Sequence, residues 1–193
     1  MSDLSKDDIV KAEILKAAEH VFQRWGSVKT TMEDIAREAG KGKSTLYYYF
    51  QSKEEIFDAV VIGEFKKIIE RAMETADQNG TAKERLIRYI VESITQMRNK
   101  VGTYTILKDE IRRDQRIIKR LRDLYEEREE HYIEGVLRFG LQRKEFTFLH
   151  ESEVITAAET ITGMIHALEI YLLVENDDIA QIDIAARFIA YGL

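Results

Sequence analysis

Residues 41–47 of the chain carry a dense group of side chains that donate hydrogen bonds. Lys41 and Lys43 supply ammonium groups, and Ser44, Thr45 and Tyr47 supply hydroxyls. Phosphate oxygens and the acceptor atoms of base edges are the natural partners of such donors. The chemistry expected from this stretch is therefore recognition of DNA.

The residues before this stretch predict a helix and a turn. Thr31 followed three residues later by Asp34 is a helix N-terminal signature, in which each side chain bonds the backbone of the other. Gly40 is predicted to end this helix and Gly42 to lie in the turn, because glycine adopts positive φ at the least cost.

A very short helix is predicted next, from about residue 43 to residue 50. Leu46 and Phe50 have helical i, i+4 spacing and can anchor it to a core, while the run 47–50 is too aromatic for all four rings to face inward. Ser52 and Glu55 form a capping box that opens the following helix. This order predicts a helix-turn-helix, whose second helix enters the major groove, although such units also occur as inert scaffolds.

At these positions the chain resembles the TetR family of bacterial transcription regulators, over roughly residues 11–60. Residues of the first predicted helix match the family pattern at Lys11, Ile14, Leu15, Ala17, Ala18, Phe22 and Gly26. The second matches at Thr30, Thr31, Ile35, Ala36, Ala39 and Gly40. The third and the junction to the fourth match at Thr45, Leu46, Tyr47, Tyr48, Tyr49, Phe50, Ser52, Lys53, Glu54 and Glu55.

The departures from the family lie in the turn. The family usually has a small apolar residue and then Ser or Thr where this chain has Lys41 and Gly42, and it often has Gly where this chain has Ser44. Gly42 removes a side-chain cap from the recognition helix. Although Gly42-Lys43-Ser44 looks like the end of a P-loop, that motif needs Gly at position 37, which is Arg, and a preceding strand.

Contacts to DNA are predicted in two groups. Base edges or adjacent phosphates are expected to meet Lys43, Ser44, Thr45 and Tyr47. Phosphates are expected to meet Thr31, Tyr48, Tyr49 and Lys53, with Lys29 and Lys41 nearby.

Composition and charge agree with this interpretation. The chain has 193 residues, no proline, which suits helices, and no cysteine, which suits a reducing cytoplasm. The net charge of −6 is unevenly divided: residues 24–53 carry six basic and three acidic residues, whereas residues 54–193 carry 20 and 27. The positive charge thus lies where the motif lies. The acidic N-terminus is not a signal peptide, and no apolar run is long enough for a membrane helix.

The predicted architecture is all-α, with about nine helices in two domains. Residues 1–53 form the helix-turn-helix domain and residues 54–193 a helical effector-binding and dimerisation domain. The later helices are amphipathic, one of them around 104–112 and a long one over 115–142. Charges alternating through 108–130 indicate a solvated helix with paired charges rather than a second nucleic-acid surface.

The sequence offers no catalytic constellation, no metal site and no cofactor motif. His166 is interpreted first as a buried core histidine that forms a hydrogen bond with a neighbouring side chain. In the TetR family, however, the C-terminal helices enclose a small-molecule pocket. That resemblance implies an apolar or amphipathic effector, for which the candidate lining residues are Met97, Tyr104, Tyr125 and His166.

Residues 152–174 are apolar around much of the helix circumference, which one small domain cannot satisfy by itself. This helix and the last predicted helix, contributed by each of two chains, would form a four-helix bundle, as in the TetR family. Such a symmetric dimer would bind a palindromic operator. The candidate interface residues are Ile161, Ile165, Leu168, Leu172, Ile182, Ala186 and Ile189.

The function predicted from the sequence is a homodimeric repressor that binds double-stranded palindromic operator DNA and is released by a small effector. Two alternatives are a helical sensor or partner-binding protein that no longer binds specific DNA, which the substituted turn at Lys41-Gly42 favours, and a small helical enzyme.

Overall fold

The computed structural model of the protein describes residues 5–103, 123, 125–174 and 180–192. Within those ranges the regular elements are eight α-helices and a short 3₁₀ turn at Glu151–Glu153, so the all-α prediction is confirmed. The helices are α1 (Lys6–Trp25), α2 (Met32–Glu38), α3 (Lys43–Tyr49), α4 (Lys53–Ala76), α5 (Ala82–Thr103), α6 (Glu126–Gln142), α7 (Val154–Val174) and α8 (Ala180–Tyr191).

Side-chain caps begin several of these helices. At α2 the Thr31 hydroxyl accepts a hydrogen bond from the Asp34 amide, and the Asp34 carboxylate accepts one from the Thr31 amide, as predicted. Ser52 caps α4 by accepting from the Glu55 amide. Ser5 and Asp8 form a further capping box at the start of α1, which was not among the predicted caps.

The cap of α5 gives a stability prediction. The Thr81 hydroxyl accepts from the Glu84 amide at 3.2 Å and the Glu84 carboxylate accepts from the Thr81 amide at 2.9 Å. Thr81→Ala is therefore expected to lower the free energy of unfolding by about 1 kcal/mol. Urea denaturation followed by circular dichroism measures this, with Thr147→Ala, an exposed threonine outside any helix, as the control. Equal stability of the two variants would contradict the capping role.

One hydrophobic core joins the first three helices to α4. Ile14 of α1, Ile35 of α2, Leu46 of α3 and Ile56 of α4 are all fully buried in it. The same core continues along α4 and reaches Met97 and Tyr125. The domain boundary proposed at residues 53 and 54 is thus the first turn of a helix that packs against both halves of the chain.

A second core holds the remaining helices. α4 packs along α5, α6 along α7, and α8 on α5. Fully buried residues from α4 to α8 meet there, among them Leu86, Ile94, Leu137, Ile165 and Ala186. Gly140 of α6 is required by this packing, because a Cβ at that position would lie 2.1 Å from the ring of Phe146.

Charged side chains also connect the two halves of the chain. Near the end of α5, the Lys100 ammonium lies 3.3 Å from Glu19 of α1 and also contacts Glu64 of α4. Burial opposes the charged form of each group, but the hydrogen bond between them lowers the pKa of Glu64 and raises the pKa of Lys100. α1 is thereby linked electrostatically to the end of α5.

Two predicted helix boundaries are corrected. α5 continues through Gly102 to Thr103, so that glycine does not interrupt the helix. The long helix predicted from residue 115 instead begins, in its described part, at Glu126, after a turn at Asp123 and Tyr125. Acidic residues fill its first turn, where they interact favourably with the helix dipole. The helix predicted around 104–112 lies outside the described residues.

Candidate nucleic-acid interface

The short helix α3 presents one face to the core and the other to solvent. Leu46 is fully buried and Phe50 nearly so, as their i, i+4 spacing predicts. Lys43, Ser44 and Tyr47 are exposed on the other side. The adjacent Tyr48 has 76% of its surface exposed, whereas Thr45 and Tyr49 are half-buried. Four of the six predicted contact residues on α3 thus lie on an open surface.

The turn between α2 and α3 begins with a C-cap, in which backbone hydrogen bonds end α2. Gly40 has φ +62°, which supports its predicted role at the end of α2. The Lys41 amide bonds the Ala36 carbonyl at 3.0 Å and the Gly40 amide bonds the Arg37 carbonyl at 3.2 Å, which is the Schellman pattern. Gly42 is different: its φ is −73°, and it caps α3 without a side-chain hydrogen bond.

The two lysines of the turn contact carboxylates of the same chain. The Lys41 ammonium lies 2.8 Å from Glu13 of α1, and the Lys43 ammonium donates a hydrogen bond to Glu33 of α2. That hydrogen bond lowers the pKa of Glu33 and raises the pKa of Lys43. The Lys43 ammonium also lies 5.8 Å from the centre of the Tyr47 ring. Both lysines therefore have internal anionic partners in the absence of DNA.

Two predicted phosphate ligands also have internal partners. The Lys53 ammonium donates to the Ser27 carbonyl at 2.7 Å and holds the loop after α1 against the start of α4. The Tyr49 hydroxyl donates to the Asp7 carboxylate at 2.8 Å, which raises the pKa of Tyr49. Lys29 and the cap residue Thr31 are exposed beside this face. Lys53 and Tyr49 thus each connect two parts of the N-terminal domain that are far apart in the chain.

The carboxylates of Asp7, Glu13 and Glu33 are neighbours of the site that sequence reasoning missed. Glu33 and Lys43 are ten residues apart in the chain, and Asp7 and Tyr49 are 42 apart. No helical or turn spacing relates such pairs. They are brought together by the packing of α1 and α2 against α3.

Three of the four candidate effector residues lie in one region. Met97 and Tyr125 belong to the core around α4, and the Tyr125 ring contacts the His166 ring edge-on with centroids 6.2 Å apart. His166 Nε2 lies 2.7 Å from the buried carboxylate of Glu129, which also accepts a hydrogen bond from Tyr89 at 2.6 Å. His166 is thus a core residue with a partner, and its place in a pocket stays a prediction. Tyr104 lies outside the described residues.

The predicted dimer residues require a correction. The structure buries most of them in the protomer's own second core: Ile161, Ile165, Leu172, Ile182 and Ala186. Of the seven, Ile161 and Ile189 also line an open groove between α7 and α8. Leu168 and Ile189 are half-buried against the same core. The reason is that α7 is apolar on several sides, and sequence periodicity does not show which side its own domain covers.

A different apolar surface lies on the same two helices. On α7 the exposed residues include Met164, 52% exposed, and Tyr171, and on α8 they include Ile184, Tyr191 and Phe188, 77% exposed. A groove of about 650 Å³ runs between the helices. It is lined by residues such as Thr156, Thr160, Met164, Phe188 and Ile189. We name this the α7–α8 surface. Monomeric proteins seldom expose so many large apolar side chains together.

The described residues contain no group of three or more His, Asp or Glu side chains suited to a metal ion. In the same part of the chain, no helix has the combination of length and apolar composition that crossing a membrane requires.

The fold and the exposed face of α3 define an all-helical protein with an N-terminal helix-turn-helix. Residues 14–60 match the family of bacterial regulatory proteins known as the tetR family. This match covers the helix-turn-helix part of the chain, and it confirms the resemblance to the TetR family found in the sequence.

Curated relatives match mainly through this domain. The chain is 45% identical over 51 residues to YfiR of Bacillus subtilis, an uncharacterised HTH-type transcriptional regulator, covering 26% of this chain and 25% of the relative. It is 30% identical over 103 residues to the HTH-type transcriptional repressor KstR2 of Mycobacterium tuberculosis, covering 53% and 52%. The chain thus spans between a quarter and a half of the length of these relatives.

Solved structures share the fold over nearly the whole chain. A TetR/AcrR-family transcriptional regulator of Thermobifida fusca superimposes with a TM-score of 0.67 at 22% identity, covering 94% of this chain and 97% of that one. The regulator FadR of Bacillus subtilis, solved in complex with stearoyl-CoA, gives 0.64 at 23% identity, covering 94% and 98%. At these identities the likeness shows a common fold.

Proposed function

We propose that this chain is a dimeric transcription regulator that binds palindromic operator DNA and acts as a repressor released by a small molecule. The observation that carries the proposal is the exposed face of α3. Lys43, Ser44, Tyr47 and Tyr48 point to solvent while Leu46 fixes the helix in the core. These exposed donors lie within the matched TetR domain, and they fit phosphates and base edges.

The dimer of the proposal uses the α7–α8 surface. Gly163 and Ala167 are exposed on α7 between the larger residues, and such small side chains let two helices approach closely. A two-fold axis here would bury Met164 and Phe188 in a four-helix bundle. It would also repeat α3 one or more DNA turns away, roughly 34–36 Å per turn, so the operator would be palindromic.

The effector of the proposal is small and apolar or amphipathic, and binds beside Met97, Tyr104, Tyr125 and His166. An apolar core with a few polar groups, here His166 and Tyr125, is the usual composition of such a site. The solved FadR complex contains stearoyl-CoA, so acyl-CoA is a sensible first ligand to test. Mass spectrometry of the protein purified under native conditions would identify a bound effector directly.

A panel of variants tests the DNA-binding face. Thr45→Ala is expected to weaken operator binding by roughly 1–3 kcal/mol and to relax discrimination at one base position, because a base contact is lost. Lys29→Gln is the matched control. It is expected to weaken operator and random DNA alike and to reduce the salt slope by about 0.9.

The measurement is fluorescence anisotropy with a duplex selected from a random library, at several salt concentrations. Equal losses on selected and random DNA for Thr45→Ala would contradict its role in base reading. Failure of the wild-type chain to enrich any sequence would favour the second candidate, a helical sensor without specific DNA binding. The turn residues Lys41 and Gly42 are the feature that favours that candidate.

The proposal gives the chain no catalytic role, cofactor or metal, and places it in the cytoplasm. The curated relatives named above are a transcriptional regulator and a repressor. Action on operator DNA requires the compartment that contains the chromosome.

A further inference from the structure

Acidic side chains of α1 and α2 contact the hydrogen-bond donors of the candidate DNA face. Glu33 contacts Lys43 and Glu13 contacts Lys41. Both carboxylates belong to the same N-terminal domain as the lysines that they contact.

The pair of Glu33 and Lys43 lies closest to the recognition helix. Lys43 is the first residue of α3, and Glu33 is the second residue of α2. About half of each side chain is exposed, 57% for Glu33 and 49% for Lys43. The contact is therefore on the surface, where DNA could replace it.

A carboxylate and a DNA phosphate are competing acceptors for one ammonium group. The first helix of a helix-turn-helix crosses the DNA backbone, so Glu33 on α2 would come near phosphates when α3 enters the groove. Lys43 must then leave Glu33, and the released carboxylate is repelled by the neighbouring phosphates. Both effects oppose binding.

We propose that Glu33 is an internal competitor of DNA for Lys43, which holds the affinity of this chain for DNA below the value that its basic residues would otherwise give. The proposal rests on the DNA-binding function proposed above. It assigns a role in DNA affinity to a residue that contributes no donor to the interface.

The salt dependence of binding should carry the signature of this competition. DNA binding releases condensed cations in proportion to the phosphates neutralised. A carboxylate freed beside DNA takes up a cation and offsets part of that release. Removing the carboxylate should therefore steepen the plot of log K against log salt, by up to about 0.9 for one full contact.

The experiment compares Glu33→Gln with Glu38→Gln by anisotropy on the selected operator and on random duplex. Both variants remove one negative charge from α2, but Glu38 lies 3.5 Å from His20 and does not contact Lys43. Glu33→Gln is expected to bind both DNAs about two- to fivefold more tightly at low salt than Glu38→Gln, since exposed ion pairs are worth little. Its salt slope should be steeper than that of Glu38→Gln.

A double-mutant cycle shows whether Glu33 acts through Lys43. In the Lys43→Gln background, Glu33→Gln is expected to add less affinity than it adds in the wild-type chain, because only the repulsion between Glu33 and the phosphates is left to relieve. An equal gain with and without Lys43, or equal slopes for the Glu33 and Glu38 variants, would overturn the competition. If the wild-type chain bound no duplex, the proposed function would be overturned together with this inference, whereas normal wild-type binding with equivalent variants would overturn the inference by itself.

Discussion

Phe188→Glu and Met164→Glu are expected to convert the proposed dimer into folded monomers that bind a palindromic operator about 10²–10⁴-fold more weakly. The physical reason is that each change places a charge in the centre of the α7–α8 surface, where burial against a second copy would leave it unpaired. A monomer engages one half-site at a time and loses the gain from binding two linked sites.

Size-exclusion chromatography with light scattering measures the mass, and anisotropy measures the affinity. Gln142→Glu, which adds the same charge at the exposed end of α6, is the control and should remain dimeric. Affinity for a single half-site should be nearly unchanged in all three variants. Dimers of unchanged mass for both Phe188→Glu and Met164→Glu at micromolar concentration would place the interface elsewhere.

The neighbouring residue on α7 gives an internal comparison. Ile165 is fully buried whereas Met164 is 52% exposed. Glutamate at position 165 would put an unpaired charge inside the protomer, so Ile165→Glu is expected to unfold the chain rather than to release monomers. Circular dichroism distinguishes the two outcomes.

Glu129→Ala is expected to lower the free energy of unfolding by about 3–5 kcal/mol, the cost of removing one partner of a buried polar pair. The Glu129 side chain is completely buried and accepts from both Tyr89 and His166. Burial, reinforced by the Glu129 carboxylate, raises the pKa of Tyr89 well above its usual value, so this phenol stays protonated and donates. Without Glu129, both donors lose their acceptor inside the core.

Urea denaturation measures this loss. The protein concentration is kept the same for all variants, because the apparent stability of a dimer depends on it. Glu127→Ala is the matched control, since Glu127 is exposed on the same helix and should change stability by less than about 0.5 kcal/mol. Tyr89→Phe is expected to cost less than Glu129→Ala, because His166 keeps its partner. A Glu129→Ala variant as stable as Glu127→Ala would show that the buried network contributes nothing to stability.

Local signals in the sequence determined most of the N-terminal domain. Thr31 with Asp34, Ser52 with Glu55, and the spacing of Leu46 and Phe50 were each sufficient to predict a cap or an inward face. These features depend on residues within four positions of each other. Backbone geometry fixes their distances before any tertiary packing forms.

Tertiary structure decided the features that depend on residues far apart in the chain. The partner of Lys43 is Glu33, that of Lys53 is the Ser27 carbonyl, and that of His166 is Glu129. Such pairs form only where two helices meet, and the types of the residues do not specify which helices those are. The same limit explains why most of the predicted dimer residues are buried inside the protomer instead. A helix that is apolar nearly all round has a weak periodic signal, so the positions of α5, α6 and α8 decide that Ile165 is buried and that Met164 faces solvent.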